Sequence, residues 1–285
     1  MINWFFKYKT NELEDCQINV NDIHRSSSIL FCLFTRYGDT IIDLVVIKEF
    51  IEKFPDKDYL IICPKQMKPY VNEIIPKINS IAINKRNLFE LFKLILKLKK
   101  WSPDIGFNPW STGHESSYFL SFCKKFKLYK NFKIPEVINH YQVVRKYLNL
   151  KEKKWKIFEK SVELSYKKIL ICPESTDPKR SISLELLEKI LDKIQLDFNN
   201  PKITIASMSI EYLRDDTVSF LFKKNEKSSS SFIKLIKESD LIFCVDSAPL
   251  HIASALKKDV VPFFYSTRPE VVLNTGDIFH LYKDV

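Results

Sequence analysis

The chain has 285 residues, of which 45% are hydrophobic and 13% aromatic, and its formal net charge is +10. This length suits two domains of ordinary size or one large one, and the composition excludes a disordered chain. Lys and Arg outnumber Asp and Glu by 45 to 35, which favours an acidic partner such as nucleic acid, an anionic membrane surface or a phosphorylated glycolipid.

Cysteine usage and hydropathy indicate a cytoplasmic protein. No C-x-x-C motif occurs among the six cysteines, so the sequence predicts neither a zinc site nor a redox motif. The N-terminal residues 1–16 turn polar too soon for a signal peptide. No apolar run approaches the ~18 residues that span a bilayer, so we expect any membrane contact to be peripheral.

The first part of the chain alternates predicted strands and helices. Ile29–Phe34 is a strand, Thr35–Thr40 a turn, and Ile41–Phe54 an amphipathic helix with Thr40 as its cap. Tyr59–Cys63 completes a βαβ unit with a right-handed crossover. The elements predicted after this unit are helices over Lys65–Ile75, Asn87–Trp101, His114–Phe126, Val137–Leu150 and Trp155–Leu164, strands over Ser80–Ile83 and Asp104–Phe107, and an extended stretch over Leu128–Ile134.

A second alternating series follows. Lys168–Cys172 is a strand, and Leu184–Leu196 is a helix with a buried leucine and isoleucine stripe. Further strands are predicted over Lys202–Ala206, Thr217–Leu221, Leu241–Val245 and Val260–Phe264. Two such series predict an α/β fold with two doubly wound, Rossmann-like domains, residues 1–150 and 151–285, facing a central cleft.

The stretch Leu241–Leu256 reads as strand, tight turn and helix. Ser247 suits the cap position, and Pro249 suits a first helical turn because its missing N–H needs no intrahelical partner. The remaining first-turn N–H groups form a site that can hold a phosphate, with His251 as a further donor. The local chemistry also fits a capped helix with a surface histidine and no ligand, so the residues of this stretch allow both interpretations.

This stretch, DSAPLHIASAL, resembles the Asp-Ser/Thr-Gly-x-x-His-x-x-Ala-Ala signature of glycosyltransferase family 9, the ADP-heptose:lipopolysaccharide heptosyltransferases. Three further segments resemble that family in the same order along the chain. They are the strand–turn–helix–strand segment SSILFCLFTRYGDTIIDLVVIKEFIEKFPDKDYLIIC, the segment INHYQVVRKYLNL, and the segment ILICPESTDPKRSISLELLEKI. The resemblance implies a GT-B fold, with an N-terminal acceptor-side domain and a C-terminal nucleotide-sugar-binding domain.

The resemblance also implies site residues. Asp39 matches the family's proposed general base, and Arg36 and Gly38 lie beside it on the acceptor side. Without the resemblance, the residues favour Asp39 as a helix-start residue stabilised by the helix dipole, and His114 is the next candidate base. The residues implied to bind the donor nucleotide are Ser175, Thr176, Lys179, Arg180, Asp246, Ser247, Ala248 and His251.

The chain departs from the family pattern in its donor-binding segments. Ala248 and Glu174 replace glycines, and Ser181 and Ile182 replace a Trp-Pro pair. An acidic side chain beside a diphosphate repels it unless turned away. Because of these departures, a nucleotide sugar other than ADP-heptose, the usual donor of the family, is an alternative donor.

No Asp-x-Asp motif follows a predicted strand, and no His/carboxylate cluster has metal-ligand spacing. We therefore expect no metal and no cofactor, with Lys179 and helix N-termini stabilising the leaving diphosphate. Two basic stretches, Lys93–Lys100 and Lys124–Lys133, read either as solvated faces or as a patch for an anionic saccharide or the inner-membrane surface. Nucleic acid is disfavoured, because no RNA-binding motif accompanies them.

The resemblance thus implies an inverting glycosyltransferase that moves a sugar from a nucleotide-sugar donor to a lipopolysaccharide core or another surface glycan. Its partners would be the nucleotide sugar, an anionic glycan or glycolipid acceptor, and the cytoplasmic face of the inner membrane. One alternative is a sugar-nucleotide epimerase of the same fold. Another is a non-catalytic GT-B scaffold that binds a glycan or a partner protein, which scarce glycines and a short C-terminal part would suit.

Overall fold

The structure, a computed structural model, describes Thr10, Leu13 and residues 16–133, 139–154 and 156–282. The chain divides into two compact units, Met1–Glu152 and Lys153–Val285. Ile134, Val137 and Trp155, which bound three of the predicted elements, lie outside the described residues. The predicted roles of the two domains, acceptor-side and nucleotide-binding, stay predictions.

The first unit is built on a sheet of five parallel strands in the order β3-β2-β1-β4-β5. The strands are β1 (Ser28–Cys32), β2 (Asp58–Pro64), β3 (Asn79–Ile83), β4 (Ile105–Phe107) and β5 (Lys125–Lys127). Every residue of the central strand β1 is buried, as expected of a parallel strand covered by helices on both faces. The strand order reverses between β1 and β4, which makes their carboxyl ends the expected binding edge.

Apart from the first, which the sequence analysis does not predict, the helices of this unit follow the predicted alternation. They are α1 (Val20–Arg25), α2 (Tyr37–Lys53), α3 (Lys68–Ile74), α4 (Leu88–Trp101), α5 (His114–Leu120) and α6 (His140–Tyr147). The prediction that Thr40 caps the second of them is wrong. Arg36 is the N-cap, and Thr40 is buried within the helix, where its N–H donates to the Arg36 carbonyl at 2.9 Å. Asp39 favours this start, because it adds a negative charge to the first turn of the helix.

Two local predictions are wrong because long-range pairing decided the outcome. Trp155–Leu164, predicted as a helix, contains strand β6 (Phe158–Ser161), which pairs in parallel with β12 (Ile278–Leu281). The predicted helix over His114–Phe126 ends at Leu120, and β5 follows because it pairs with β4. Helical periodicity is a local signal, whereas strand pairing depends on partners far along the chain.

The second unit repeats the topology of the first, with a parallel sheet in the order β11-β10-β7-β8-β9. The strands are β7 (Lys168–Cys172), β8 (Lys202–Ser207), β9 (Val218–Leu221), β10 (Leu241–Val245) and β11 (Asp259–Phe263). The helices are α7 (Leu184–Asp197), α8 (Glu226–Glu238), α9 (Ala248–Ala255) and α10 (Pro269–Val272). The predicted α/β class with two Rossmann-like units is therefore confirmed.

Both cores are continuous and apolar. In the second unit, Leu241, Phe243 and Val245 of β10 pack with Leu187 and Ile190 of α7 in one cluster of buried side chains. All six cysteines are free thiols, and five of them are buried. Over the described residues, no helix has both the length and the apolar character needed to cross a bilayer.

Candidate active site

The carboxyl ends of β7 and β10 form the switch point of the second unit. The two strands are parallel neighbours, with Cys172 opposite Cys244 at their last paired position. The loop after β7 carries residues 173–181, and the loop after β10 carries Asp246 and Ser247. Both loops therefore leave the sheet at the same edge, where open α/β sheets bind ligands.

An ion pair joins the two loops. Nη1 of Arg180 lies 3.0 Å from Oδ2 of Asp246, which is only 3% exposed. The Nε of Arg180 lies 3.7 Å from Oδ2 of Asp177 in the same turn. Arg180 thus connects the loops as a cation held at the sheet edge, while the side chain of the neighbouring Lys179 is exposed.

The loop after β7 is shaped by its own hydroxyls and acids. The N–H of Ser175 donates to Oγ of Ser181 at 3.0 Å, and Oγ of Ser175 accepts from the N–H of Asp177 at 3.4 Å. Ser175 is buried and Thr176 is exposed. The structure therefore places Ser175 inside the turn, and Thr176 and Lys179 on its solvent side.

Helix α9 begins at Ala248 with Ser247 in the N-cap position, as predicted, and Pro249 lies in its first turn. The Ser247 hydroxyl does not cap the helix; it donates to the Val245 carbonyl at 3.4 Å. A first turn without a side-chain cap suits an anionic ligand, whose oxygens can accept from its N–H groups. His251 is buried one turn into the helix, which rules out the surface histidine of the alternative reading.

Glu174, which stands where the family has glycine, is directed at the end of β8. Its carboxylate accepts from the Ser207 and Ser209 hydroxyls and from the backbone N–H groups of Met208 and Ser209, at 2.5–3.0 Å. Burial alone would raise the pKa of this carboxyl, but these hydrogen bonds outweigh burial and lower its pKa. The acidic group is thus fully engaged within the protein.

In the first unit, Asp39 lies in the first turn of α2, just after β1. The hydroxyl of Thr35 donates to its Oδ2 at 3.3 Å, and the residue is half-buried. Arg36 is exposed at the N-cap, and Gly38 lies between them in the first turn. The three residues predicted on the acceptor side therefore share one short segment at the carboxyl end of β1.

Asp43, which follows Asp39 by one helical turn, is not among the site residues predicted from the sequence. Asp43 is 0% exposed, and neither of its carboxyl oxygens has a hydrogen-bond partner among the described residues. Burial, and then the charge of Asp39, raise the pKa of Asp43 well above its ordinary value, because the charged form of a buried carboxyl is disfavoured. The sequence signal for Asp43 is its position as an acid within the otherwise apolar run Ile41–Ile47.

Tyr129 is close to both of these acids. Burial is the main cause of the raised pKa of Tyr129. Its hydroxyl is buried without a hydrogen-bond partner among the described residues. His114, the alternative base, begins α5, and its Nδ1 lies 2.6 Å from Oγ1 of Thr10.

No group of three or more His, Cys, Asp or Glu side chains within the described ranges is arranged to hold a metal ion. The charged groups at the second unit's sheet edge are instead Arg180, Lys179, Asp177 and Asp246. Such an edge can bind a diphosphate through cations and helix N–H groups.

The model of "Glycosyltransferase family 9 (heptosyltransferase)" matches residues 228–276. This segment runs from α8 through Asp246 and α9 to the loop before β12. A comparison with curated proteins gave no match. The predicted resemblance to family 9 is therefore confirmed over the part of the chain that carries the strand–turn–helix of β10 and α9.

Solved structures give the same fold. The chain is similar to a family 9 glycosyltransferase of Veillonella parvula, with 12% identity, a TM-score of 0.65, and coverage of 95% of this chain and 90% of that one. It is also similar to the E. coli heptosyltransferase WaaC with ADP, with 9% identity, a TM-score of 0.61, and 89% and 92% coverage. It is similar as well to the E. coli ADP-heptose lipopolysaccharide heptosyltransferase II, with 15% identity, a TM-score of 0.60, and coverage of 90% of this chain and 91% of that one. The predicted GT-B fold is thus confirmed.

Proposed function

We propose that this protein, which has a GT-B fold and a family 9 glycosyltransferase segment, is an inverting glycosyltransferase. It transfers a sugar from a nucleotide-sugar donor to a lipopolysaccharide core or another bacterial surface glycan. The observation that carries the proposal is the Arg180–Asp246 pair at the switch point, because it joins the loop after β7 to the matched strand–turn–helix segment, whose helix begins without a side-chain cap. The two E. coli neighbours are a heptosyltransferase with ADP and an ADP-heptose enzyme, which makes ADP-heptose the first donor to test.

The second unit would hold the nucleotide diphosphate. The N-terminus of α9 supplies N–H donors, and Arg180 and Lys179 supply positive charge. As the bond between the anomeric carbon and the diphosphate oxygen breaks, negative charge accumulates on the leaving nucleoside diphosphate. Fixed cations and N–H groups stabilise that charge more in the transition state than in the bound donor, which lowers the barrier.

The first unit would supply the base. An acceptor hydroxyl attacks the anomeric carbon while its proton passes to Asp39, and the nucleoside diphosphate leaves from the opposite face with inversion. A hydroxyl does not ionise at neutral pH, so a carboxylate beside it gives about 10²–10⁴-fold acceleration. Arg36, exposed at the helix start, would hold an acidic group of the acceptor.

The chemistry proposed here needs no metal, since the diphosphate charge is met by Arg180, Lys179 and α9. We further propose that the enzyme works at the cytoplasmic face of the inner membrane, where such acceptors are extended. The donor class is tested by thermal-shift measurements with ADP-, UDP-, GDP-, CDP- and dTDP-linked compounds. A ligand at about 100 times its dissociation constant stabilises a protein by about 2.7 kcal/mol. If none of these nucleotides shifts Tm and no donor is consumed, the proposal fails.

A further inference from the structure

Helix α4 of the first unit has an apolar arc on its outer side as well as on its inner side. Leu91, Leu94 and Leu98 are buried in the core of the unit. On the other side, Leu88, Phe89, Phe92 and Leu96 are 69%, 65%, 58% and 50% exposed. Residues 88, 92 and 96 follow one another at four-residue spacing, and residue 89 precedes 92 by three positions, so the four side chains share one face.

Lysines accompany this exposed arc. Lys93, Lys97, Lys99 and Lys100 are exposed and form no ion pair with any residue that the structure describes. The acid of this helix, Glu90, is bound to Lys65 and to the N–H of Asn84. We name the four apolar side chains and these four lysines the α4 outer face. It is at once apolar and positively charged.

The second basic stretch of the sequence behaves differently. Lys124 is paired with Asp104, and Lys125 with Asp22, each at 2.7 Å. Those charges are partly neutralised within the protein. In α4, by contrast, Nζ of Lys93 lies 4.2 Å from the centre of the Phe89 ring, so its charge is held against the apolar arc by a cation–π contact and not by an acid.

We propose that the α4 outer face is a docking surface for an anionic lipid bilayer. Large exposed apolar patches mark interaction sites, and a helix with an apolar face flanked by lysines binds in the interfacial plane of a membrane. The lysines select anionic lipid, because each cation near such a surface strengthens binding roughly fivefold. The inference rests on the proposed function, in which the acceptor is a glycolipid presented at a membrane.

The test is sedimentation of the full chain with vesicles of phosphatidylcholine alone or with phosphatidylglycerol added. We expect binding to the anionic vesicles and little binding to the neutral ones. Phe89→Ser with Phe92→Ser should lower anionic-vesicle binding about tenfold or more. Lys93→Glu with Lys97→Glu should do the same by charge alone. Both pairs are exposed, so we expect Tm to stay within a few degrees of the parent.

Leu196→Ser is the matched control. Leu196 is 85% exposed on α7 of the second unit, so its loss removes exposed apolar surface elsewhere and should leave vesicle binding unchanged. Equal binding by the phenylalanine variant and the parent would overturn the proposal. So would a parent that ignores anionic vesicles but forms a dimer that the serine substitutions dissociate.

A donor-hydrolysis assay without membranes separates this inference from the proposed function. The α4 variants should hydrolyse the donor at the parental rate, because their changes lie outside the proposed donor and base residues. If the parent binds vesicles but neither binds nor consumes any nucleotide sugar, the enzyme proposal fails and the docking surface stands. If the parent consumes donor but ignores vesicles, the docking surface fails alone.

Discussion

Nη1 of Arg180 lies 3.0 Å from Oδ2 of Asp246, so a cation from the loop after β7 is held against a nearly buried acid from the loop after β10. The pair spans the two strands between which the sheet order reverses. Arg180 and Lys179 are neighbours in sequence, but only Arg180 is paired with the buried Asp246, whereas the side chain of Lys179 is exposed.

We expect Arg180→Ala to lower both stability and nucleotide affinity. Removing the arginine leaves Asp246 buried without its cation, at a cost of about 1–3 kcal/mol in the free energy of unfolding. Lys179→Ala is the matched control: its side chain is exposed, so stability should change by less than about 0.5 kcal/mol while nucleotide affinity falls. Urea unfolding and nucleotide titration measure the two effects. Equal stability of the two variants would contradict the structural role of Arg180.

Asp39→Asn should lower turnover at least about 100-fold and leave nucleotide affinity and Tm nearly unchanged. The amide keeps the shape of the carboxylate and can still accept from Thr35, but it cannot take up the proton of an acceptor hydroxyl. Single-turnover transfer with saturating donor measures the effect. Transfer at the parental rate would assign the base elsewhere in the first unit, with His114→Gln as the next variant to measure.

Asp43→Asn should stabilise the protein at neutral pH. The pKa of Asp43 is raised in the folded state by burial and by Asp39, so the folded state holds a proton that the unfolded chain releases above the ordinary pKa of 3.8. The parent therefore loses stability as pH rises through that value, and the neutral amide removes this loss. Unfolding at several pH values measures the difference, with the exposed Asp192→Asn as control. A variant that is less stable than the parent at every pH would show that Asp43 is ionised and paired.

Glu174→Gln should destabilise the protein by about 1–3 kcal/mol at neutral pH. The pKa of Glu174 is lowered by its hydroxyl and backbone donors against the effect of burial. Its contribution is therefore present above the ordinary pKa of 4.5, and it is lost as pH falls through the lowered value. Glu159→Gln, at an exposed glutamate of β6, is the control. A variant as stable as the parent at pH 7 would mean that the four hydrogen bonds do not depend on charge.

Transfer activity should survive EDTA, because positive side chains and helix N–H groups meet the charge of the diphosphate. Turnover is measured before and after EDTA treatment and again after Mg²⁺ or Mn²⁺ is restored. Loss of activity that either ion restores would show that a carboxylate ligand has been overlooked, with Asp246 and Asp177 the first to substitute.

The sequence by itself determined the order of most strands and helices and the two-unit α/β fold. A buried strand needs an apolar run such as Leu241–Val245, and a helix that packs on a sheet needs an apolar stripe such as that of α7. Both patterns are local, so the sequence alone shows them. It also marked the strand–turn–helix at Asp246, since a cap and a first-turn proline belong to neighbouring positions. The start of α2 escaped it, because Thr40 resembles a cap as closely as any residue of that segment.

Only the tertiary structure decided which side chains meet. Arg180 and Asp246 are 66 positions apart, and β6 pairs with a strand more than a hundred residues later, so no periodicity could show either contact. The direction of Glu174, toward the end of β8 and its hydroxyls, likewise depended on a neighbouring strand. Burial of Asp43 was set by the packing around α2, and burial, not residue type, is the main cause of its raised pKa.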